Sequence, residues 1–281
     1  MTAVDASPEL TRQVKKQMNR MPIHEAWEAS YRTPGSEKTY EICFDEFVKL
    51  LDLPPDPKAL DVGCGICANG VRLARRGYRV TGADCSQVIL EPARERIERE
   101  GMTDRIDVRQ EDILSLGLAN ESFDLTLCWG VLMDIPEARL ALTELARVTR
   151  PGGYIVFEEI NAGAPEAKLM RLFWQIFRGN RIACVETDSG FEQTTEFNHE
   201  KLFWRHTKPT WLEDQLRLRL CDLVARRPGV FSDAHLFARP KFLRSWVHAF
   251  NRFWIRRIGK SGLAYHNIYV FQKSLSAKAV A

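Results

Sequence analysis

The chain has 281 residues, of which 45% are hydrophobic and 27% are charged, and its formal net charge is +3. This composition is that of a globular protein and excludes a disordered chain, which would contain far fewer hydrophobic residues. Residues 1–20 contain no apolar signal segment, and no apolar stretch reaches the ~20 residues that span a bilayer. We therefore expect a cytoplasmic protein.

The first predicted elements are helices. The pattern predicts a short helix over Pro22–Tyr31, and Ser36 is a typical N-cap residue for a second helix over Glu37–Leu51. The prolines within residues 54–57 separate these helices from the strand that follows. We expect residues 1–52 to form a unit of N-terminal helices that covers the functional site.

A glycine turn between two predicted strands is the strongest local signal. The apolar run Ala59–Val62 leads into Gly63-Cys64-Gly65, a helical stretch Asn69–Arg76 follows, and a second strand, Tyr78–Ala83, is followed by Asp84. Glycine allows a sharp turn and a close approach of the backbone to a ligand, and the free N–H groups of the following helix attract negative charge. A carboxylate after the second strand can accept hydrogen bonds from a ribose diol. This layout predicts nucleoside binding at the edge of a parallel sheet.

The alternation of strands and helices continues to Glu158. The third strand ends at Arg109–Ile113, the fourth spans Ser122–Cys128, and a turn over Gly130–Pro136 follows. Leu142–Val148 is typical of a helix, and a Pro-Gly-Gly turn at residues 151–153 leads into a fifth strand, Tyr154–Phe157. This rhythm predicts a parallel sheet with helices on both faces.

Together these motifs resemble the class I S-adenosylmethionine-dependent methyltransferases of the small-molecule type (methyltransferase type 11/12-like), over about residues 25–160. The run with Asp61, Gly63 and Gly65 is similar to the family motif hydrophobic-Asp-x-Gly-x-Gly-x-Gly. The spacing to Ala68 also fits a dinucleotide site, but a carboxylate at Asp61 would repel a diphosphate. The resemblance implies an α/β fold: a doubly wound, Rossmann-like, seven-stranded, mostly parallel sheet with an antiparallel last strand and a helical insertion after the fifth strand.

The same reasoning divides the rest of the chain. We expect residues 53–161 to form the cofactor-binding core and residues 162–215 to form a helical insertion that caps the acceptor site. Residues 216–281 would supply the last two strands, over Leu220–Ala225 and Leu263–Lys273, with a basic amphipathic helix between them.

The resemblance also implies a set of cofactor-binding residues. Asp84 would bind the ribose hydroxyls, Asp61 the methionine amino group, and Asp112 the adenine amine. The Gly63-Cys64-Gly65 turn would shape the loop, Cys85 and Ile113 would flank the adenine, Trp129 would line the methionine arm, and Tyr31 with Arg32 would cover the cofactor carboxylate. Each acid also has a purely structural interpretation, as the cap of a strand end or a turn.

Candidate catalytic residues lie where the acceptor would bind. Methyl transfer from a sulfonium is an in-line displacement, so the protein has to position the acceptor and exclude water. Glu158, at the end of the fifth strand, and His199, in the insertion, are the candidate bases, and catalysis by proximity alone is the alternative. Other candidates at the same strand end and in the variable part are Glu159, His206, His235 and His266. Two positions depart from the family pattern: Cys67 replaces its third glycine, and Asp134 replaces the usual His before Ile-Pro.

Charge is unevenly distributed along the chain. Residues 226–281 contain eleven Lys or Arg and one acid, Asp233, and so carry a net charge of +10. Within them, Lys241–Arg257 places apolar residues on one arc of a helix and basic residues on the other. Two interpretations stay open. The helix could pack on the sheet with a solvated basic face, or it could form a surface for an anionic substrate, a membrane or nucleic acid.

The seven cysteines are scattered, and we expect free thiols that are mostly buried. Cys64-x-x-Cys67 has the spacing of a redox or metal pair. No second Cys/His pair has matching spacing, and this pair lies inside the glycine turn. We therefore expect no metal site.

The sequence thus predicts an S-adenosylmethionine-dependent methyltransferase that methylates oxygen or nitrogen of a small or medium organic acceptor. The basic last quarter favours an acidic, glycosylated or lipid-linked acceptor, and it allows membrane contact through Lys241–Arg257. The alternatives are a nucleic-acid methyltransferase, a nicotinamide oxidoreductase or a non-catalytic nucleotide-binding scaffold. The first lacks its usual Asn/Asp-Pro-Pro-aromatic motif, since Cys128–Val131 stands there. The sequence does not specify an oligomeric state.

Overall fold

The structure is a computed structural model that describes residues 8–177, 182–197, 200–238 and 240–275. Its strands are β1 (Lys58–Val62), β2 (Arg79–Asp84), β3 (Ile106–Gln110), β4 (Phe123–Trp129), β5 (Thr149–Ile160), β6 (Ile182–Glu186), β7 (Gly190–Phe197), β8 (Glu200–Thr207), β9 (Cys221–Pro228) and β10 (His266–Lys273). Seven of them form one sheet in the order β3-β2-β1-β4-β5-β10-β9. Strands β1 to β5 pair in parallel, and β10 pairs antiparallel with β5 and β9. The predicted Rossmann-like sheet with an antiparallel last strand is confirmed.

Helices cover both faces of this sheet. They are α1 (Pro8–Met18), α2 (Met21–Tyr31), α3 (Pro34–Val48), α4 (Ala68–Ala74), α5 (Gln87–Arg99), α6 (Ala138–Val148), α7 (Pro165–Phe177), α8 (Pro209–Arg217) and α9 (Lys241–Phe253). Helices α3, α4 and α5 pack on one face, and α6 and α8 pack on the other. Helix α3 is capped by Thr33, whose Oγ1 accepts a hydrogen bond from the N–H of Ser36, so Ser36 itself lies inside the helix.

Alternating side chains of the strands supply both hydrophobic cores. In β5, Val156 points to the face covered by α3 to α5, whereas Ile155 and Phe157 point to the face covered by α6 and α8. In β10, Val270 and Phe271 divide in the same way. Since both faces are covered, the strands are nearly continuous apolar runs, which made them predictable from the sequence.

The antiparallel pairing of β10 with β5 positions the functional site. His266, the first residue of β10, lies opposite Ile160, and Ile268 lies opposite Glu158. The beginning of β10 therefore meets the end of β5. His266 comes to the edge of the sheet at which the parallel strands also end.

The segment of residues 162–215 is only partly helical, which corrects the expectation of a helical insertion. Between α7 and α8, strands β6, β7 and β8 form a second, antiparallel sheet. Polar side chains are buried on both of its faces, Arg205 beside Glu192 on one and Gln193 opposite Trp204 on the other, so no simple apolar alternation marks these strands in the sequence. Arg205 pairs with Glu192 at 3.0 Å and donates hydrogen bonds to the carbonyls of Ile135 and Pro136, each at 3.0 Å. These bonds fix the small sheet to the turn after β4.

Helices α1 and α9 each bury only a few residues. Helix α1 is docked, with Thr11, Val14 and Gln17 buried. Helix α9 buries His248 and Asn251 and leaves most of its aromatic arc exposed. The first interpretation of this helix, an apolar arc packed on the sheet, is therefore wrong.

Candidate active site

A cavity of about 540 Å³ lies at the carboxyl ends of β1, β2, β4 and β5. It extends from Gly65 and Asp84 at one end to His266 at the other. One face of α2 closes it with side chains spaced over two helical turns: His24, Trp27, Glu28 and Tyr31. Open α/β sheets bind their ligands at this edge.

The glycine turn after β1 forms an open cradle in the cavity wall. Gly63 and Gly65 have φ angles of +66° and +52°, which L-residues with side chains rarely adopt. A Cβ on Gly63 would lie 2.4 Å from Cγ2 of Val131, whereas a Cβ on Gly65 would meet nothing within 4 Å. Gly63 is therefore needed for packing, and Gly65 keeps space open for a ligand.

Asp84 connects the end of β2 to this turn. Its Oδ2 accepts a hydrogen bond from the N–H of Gly65 and its Oδ1 accepts one from the N–H of Ser86, both at 2.9 Å. The side chain is buried, and desolvation raises its pKa above the ordinary value of Asp. A carboxylate has about four acceptor positions, so each oxygen of Asp84 can still accept one hydrogen bond. Since Asp84 lines the cavity, it can hold a diol there.

Cys67 preserves the backbone of the turn at the position of the family's third glycine. It has a left-handed conformation with φ +58° and is fully buried. A Cβ on Gly70 would lie only 2.3 Å from Sγ of Cys67, and a Cβ on Gly82 would lie 3.2 Å from it. These two glycines therefore leave room for the sulfur. The thiol packs between α4 and the sheet and leaves the cradle open. All seven cysteines are free in the structure.

Asp61 lies beneath the turn and is not part of the cavity wall. Its carboxylate is buried beside Gly70 of α4, and desolvation raises the pKa of Asp61 to about 7. Its Oδ2 has no hydrogen-bond partner among the described residues. This buried oxygen can accept a hydrogen bond from a water molecule or a ligand.

Asp112 is held by the N-terminal helix. Its Oδ2 contacts Nζ of Lys15 in α1, and its Oδ1 accepts a hydrogen bond from the N–H of Leu114 at 3.0 Å. Its neighbour Ile113 lines the cavity, as does Cys85, whereas Asp112 is not among the described residues that do so. Burial raises the pKa of Cys85 to about 12, so its thiol is neutral.

Aromatic side chains line the cavity between its two ends. Trp129, at the end of β4, packs against Phe44 with ring centroids 4.9 Å apart and meets Tyr40 edge to face at 6.0 Å. Both Trp129 and Tyr31 line the cavity. Beside them, Nη1 of Arg32 lies 3.5 Å from Oδ1 of Asn69, near the start of α4.

At the far end of the cavity an imidazole lies between two carboxylates. His266 contacts Oε1 of Glu158 through Nδ1, and its Nε2 lies 2.9 Å from Oδ2 of Asp233. We call these three residues, which are buried and line the cavity, the acid–imidazole cluster. Burial opposes protonation, but the two carboxylates raise the pKa of His266 well above its ordinary value. The imidazole in turn lowers the pKa of Asp233, and the protonated imidazole with two carboxylates gives the cluster one net negative charge.

Other titratable groups near this cluster have distinct environments. Glu159 points away from the cavity and accepts a hydrogen bond from Oγ1 of Thr207 at 2.9 Å, and desolvation raises the pKa of Glu159 to about 8. Asp134 lines the cavity, and desolvation raises its pKa to about 7. His206 also lines it, and burial lowers the pKa of His206 to about 3. His199, the second candidate base, lies outside the described residues.

Sequence reasoning did not predict the acid–imidazole cluster as a unit. It singled out Glu158, and it named His266 only among several histidines of the variable part. Asp233 was counted as a charge and not as a site residue. The signal was present in the antiparallel last strand, because an antiparallel neighbour of β5 has to begin where β5 ends.

The cavity suits S-adenosylmethionine, the cofactor that the resemblance implies. Gly65 leaves space at the strand end that a Cβ would fill, and Asp84 keeps acceptor positions for a ribose. The guanidinium of Arg32 lies near Asn69 at the start of α4, where it can meet the carboxylate of an amino acid moiety. The described residues therefore fit this group.

Comparisons with known proteins agree with this geometry. A family model described as a methyltransferase domain matches residues 60–157. The methyltransferase GfsG of Streptomyces halstedii is 36% identical over 117 residues, which are 41% of this chain and 42% of that protein. The ubiquinone biosynthesis O-methyltransferase of Hahella chejuensis is 35% identical over 108 residues, which are 38% of this chain and 44% of that protein.

A solved structure is similar over nearly the whole chain. The magnesium protoporphyrin IX methyltransferase of Synechocystis PCC 6803, with bound SAH, has a TM-score of 0.60 at 14% identity and covers 93% of this chain and 98% of that one. Identity at this level shows a shared fold alone. The chain spans less than half the length of the two curated relatives. Over residues 60–157 the comparisons agree with the predicted methyltransferase family and its cofactor, and all three residues of the acid–imidazole cluster lie beyond this segment.

Proposed function

We propose that the protein transfers the methyl group of S-adenosylmethionine to an oxygen or nitrogen of a small or medium organic acceptor, since residues 60–157 match the model of a methyltransferase domain. One observation carries the proposal. The cavity that contains the glycine cradle and Asp84 continues without a break to the acid–imidazole cluster at His266. A nucleoside at one end and an acceptor at the other would therefore share one cavity.

The cofactor end would be held by residues of the predicted set. Asp84 would accept hydrogen bonds from the ribose, Gly65 would let the nucleoside approach the backbone, and Trp129 would lie along the methionine arm. Gly63, Cys64, Cys85, Ile113 and Tyr31 border the same cavity, which supports their roles. Asp61 and Asp112 do not line it, so we propose that they act indirectly, by supporting α4 and by anchoring α1.

Bound S-adenosylmethionine supplies an electrophilic methyl group and a neutral thioether leaving group. The chain contributes enclosure and orientation. Helix α2 covers the cavity, and the aromatic wall at Trp129 excludes water from the space between its ends. The acid–imidazole cluster would receive the proton that the acceptor oxygen or nitrogen loses. Its single negative charge would be neutralised by that proton, which favours the transfer.

The charges in the cavity narrow the class of acceptor. Among the described residues that line the acceptor end, Glu158 and Asp233 supply two carboxylates, Asp134 has a raised pKa, and His266 supplies one cation. A carboxylate or phosphate beside the cluster would be repelled, whereas a hydroxyl or an amine can donate to it. We propose a neutral or cationic acceptor group in place of the acidic one that the basic last quarter suggested. The ubiquinone biosynthesis O-methyltransferase among the relatives supports a hydroxyl.

Transfer of a labelled methyl group tests the proposal. The purified protein is incubated with methyl-labelled S-adenosylmethionine and separate panels of phenols, amines, carboxylic acids, RNA and DNA, and the products are identified by mass spectrometry. Methylated phenols or amines support the proposal. Label only in carboxylic acids or nucleic acid contradicts the proposed acceptor class. S-adenosylmethionine binding without transfer to any panel would favour the scaffold alternative.

A further inference from the structure

Helix α9 exposes a row of aromatic side chains. Phe242, Trp246 and Phe253 are separated by four and seven residues and therefore lie on the same side of the helix. They are 75%, 70% and 52% exposed, and Ala249 between them is exposed as well. We call this row the aromatic stripe. A contiguous apolar surface of this kind marks an interaction site.

Polar contacts on the opposite side of α9 fix its orientation. The imidazole of His248 packs on Gly35 of α3, and its Nε2 lies 3.4 Å from Oγ1 of Thr33. The buried amide of Asn251 accepts a hydrogen bond from the N–H of Ser232 at 3.2 Å and donates one to the carbonyl of Ser232 at 3.0 Å. Turning the aromatic stripe inward would break all of these contacts. The stripe therefore faces outward as a property of the fold.

Helix α7 carries a second exposed apolar row. Leu169, Leu172 and Ile176 lie on one face at helical spacing, and all three are exposed. Oε1 of Glu166, in the first turn of α7, accepts a hydrogen bond from the N–H of Asp233 at 3.0 Å. Asp233 begins the segment that leads into α9. The two apolar rows therefore border the same segment of the chain.

The aromatic stripe is accompanied by positive charge. Lys241 is exposed at the beginning of α9, and Arg256, Arg257 and Lys260 are exposed beyond its end. Residues 240–275 contain no acidic residue. Exposed aromatic rings with cations around them match the interface of an anionic membrane, where rings enter the headgroup region and cations meet phosphates. No helix of the described residues is long and apolar enough to cross a bilayer, so the contact would be made at the membrane surface.

An apolar path leads from this surface to the cavity. Leu236 and Phe237, a few residues before α9, both line the cavity, and Phe237 is 65% exposed. From α7, Met170 lines the same cavity and its Sδ lies 3.5 Å from Oη of Tyr265. The cavity wall thus includes one residue of α7 and two residues of the segment that leads into α9.

We propose that α9 and α7 dock the protein on a membrane surface that contains anionic lipid, with the cavity rim at Phe237 turned toward the bilayer. An amphiphilic acceptor could then enter from the lipid without crossing water. Entry of the acceptor rests on the proposed function, whereas docking itself does not. An experiment can therefore disprove membrane docking without disproving the proposed function, and the reverse.

Vesicle flotation tests the docking directly. The full chain is mixed with vesicles of phosphatidylcholine alone and of phosphatidylcholine with phosphatidylglycerol, without cofactor or acceptor. We expect binding to the anionic vesicles at least about tenfold stronger than to the neutral ones, and weaker in high salt. The double variant F242S/W246S should lose about tenfold or more of this binding, because the rings no longer enter the interface.

A matched variant and two further measurements make the result decisive. L140S/L218S removes two exposed leucines on another part of the surface and should bind vesicles like the unchanged protein. Thermal unfolding and calorimetry with S-adenosylhomocysteine check that both variants are folded. Absence of binding to anionic vesicles, or an equal loss in L140S/L218S, overturns the proposal. So does a dimer in light scattering that F242S/W246S converts to monomer without any lipid binding, because the occupant would then be a second copy of the chain.

Discussion

The backbone N–H of Gly65 donates a 2.9 Å hydrogen bond to Oδ2 of Asp84, which joins the turn after β1 to the acid after β2. The parallel register of β1 and β2 makes this contact, since Val62 lies beside Ala83. The same carboxylate keeps an acceptor position on each oxygen and faces the cavity. A nucleoside at this edge would meet both parts of the motif at once.

The first prediction concerns Asp84. We expect D84N to weaken binding of S-adenosylhomocysteine about tenfold or more, because an amide has one acceptor oxygen and its NH₂ would face a backbone N–H. Calorimetric titration measures the change, with thermal unfolding as a check on the fold. The control is D107N, which removes an exposed carboxylate paired with Arg109 on β3 and should change the affinity less than about twofold. Equal losses in the two variants would contradict the role of Asp84.

The second prediction separates backbone strain from ligand space. G65A places a Cβ in the open cradle at φ +52°, and G101A places one in open space at φ +66° after α5. Both variants should lose about 1 kcal/mol of unfolding free energy from the left-handed conformation. Only G65A should also bind S-adenosylhomocysteine more weakly. If G65A bound as tightly as the unchanged protein, the cradle would not be the nucleoside site.

The third prediction concerns the acid–imidazole cluster. E158Q should lower kcat about 100-fold with little change in the affinity for S-adenosylhomocysteine, because the cluster would lose its negative charge and with it the proton acceptor. The matched control is E159Q, whose side chain faces Thr207 outside the cavity and should keep most of the activity. Equal kcat values for E158Q and the unchanged protein would contradict the role of the cluster as proton acceptor and would favour catalysis by proximity alone.

The fourth prediction is a pH dependence at Asp134, whose pKa is raised by desolvation from 3.8 to about 7. The folded state then holds this proton more tightly than the unfolded state, so the stabilising contribution is complete below pH 3.8 and is lost as the pH rises to about 7. D134N should therefore gain stability relative to the unchanged protein between pH 5 and pH 7, by about 2–3 kcal/mol at about 1.4 kcal/mol per pH unit. Urea unfolding at several pH values measures the difference. A constant difference over this range, as expected for the exposed control D104N, would contradict the burial of Asp134.

Much of the core was predictable because its signals are local. The apolar strands, the glycine turn and Asp84 are close in sequence, and the parallel register brings them together as expected. Cys67 was a departure from the family pattern, yet its backbone adopts the glycine conformation because Gly70 and Gly82 leave room for the sulfur. The sequence alone does not show that Gly70 and Gly82 lie beside Cys67, so this role of the two glycines could not be predicted.

The parts that escaped prediction depend on tertiary contacts. The pattern of α9 allows an inward apolar arc, but the contacts of His248 and Asn251 bury these two polar residues and leave Trp246 at the surface. The carboxylate of Asp112 has the expected place in the sequence, but Lys15 of a distant helix holds it. The small sheet after α7 lacked an apolar period because Arg205 is buried there by ion pairing and hydrogen bonds.

A crystal structure of the complex with S-adenosylhomocysteine tests the central claim most directly. The account predicts that the ribose hydroxyls lie within hydrogen-bond distance of Asp84 and that the sulfur points along the cavity toward Glu158, His266 and Asp233. A nucleoside bound away from Gly65 and Asp84, or a sulfur that points out of the cavity, would contradict it.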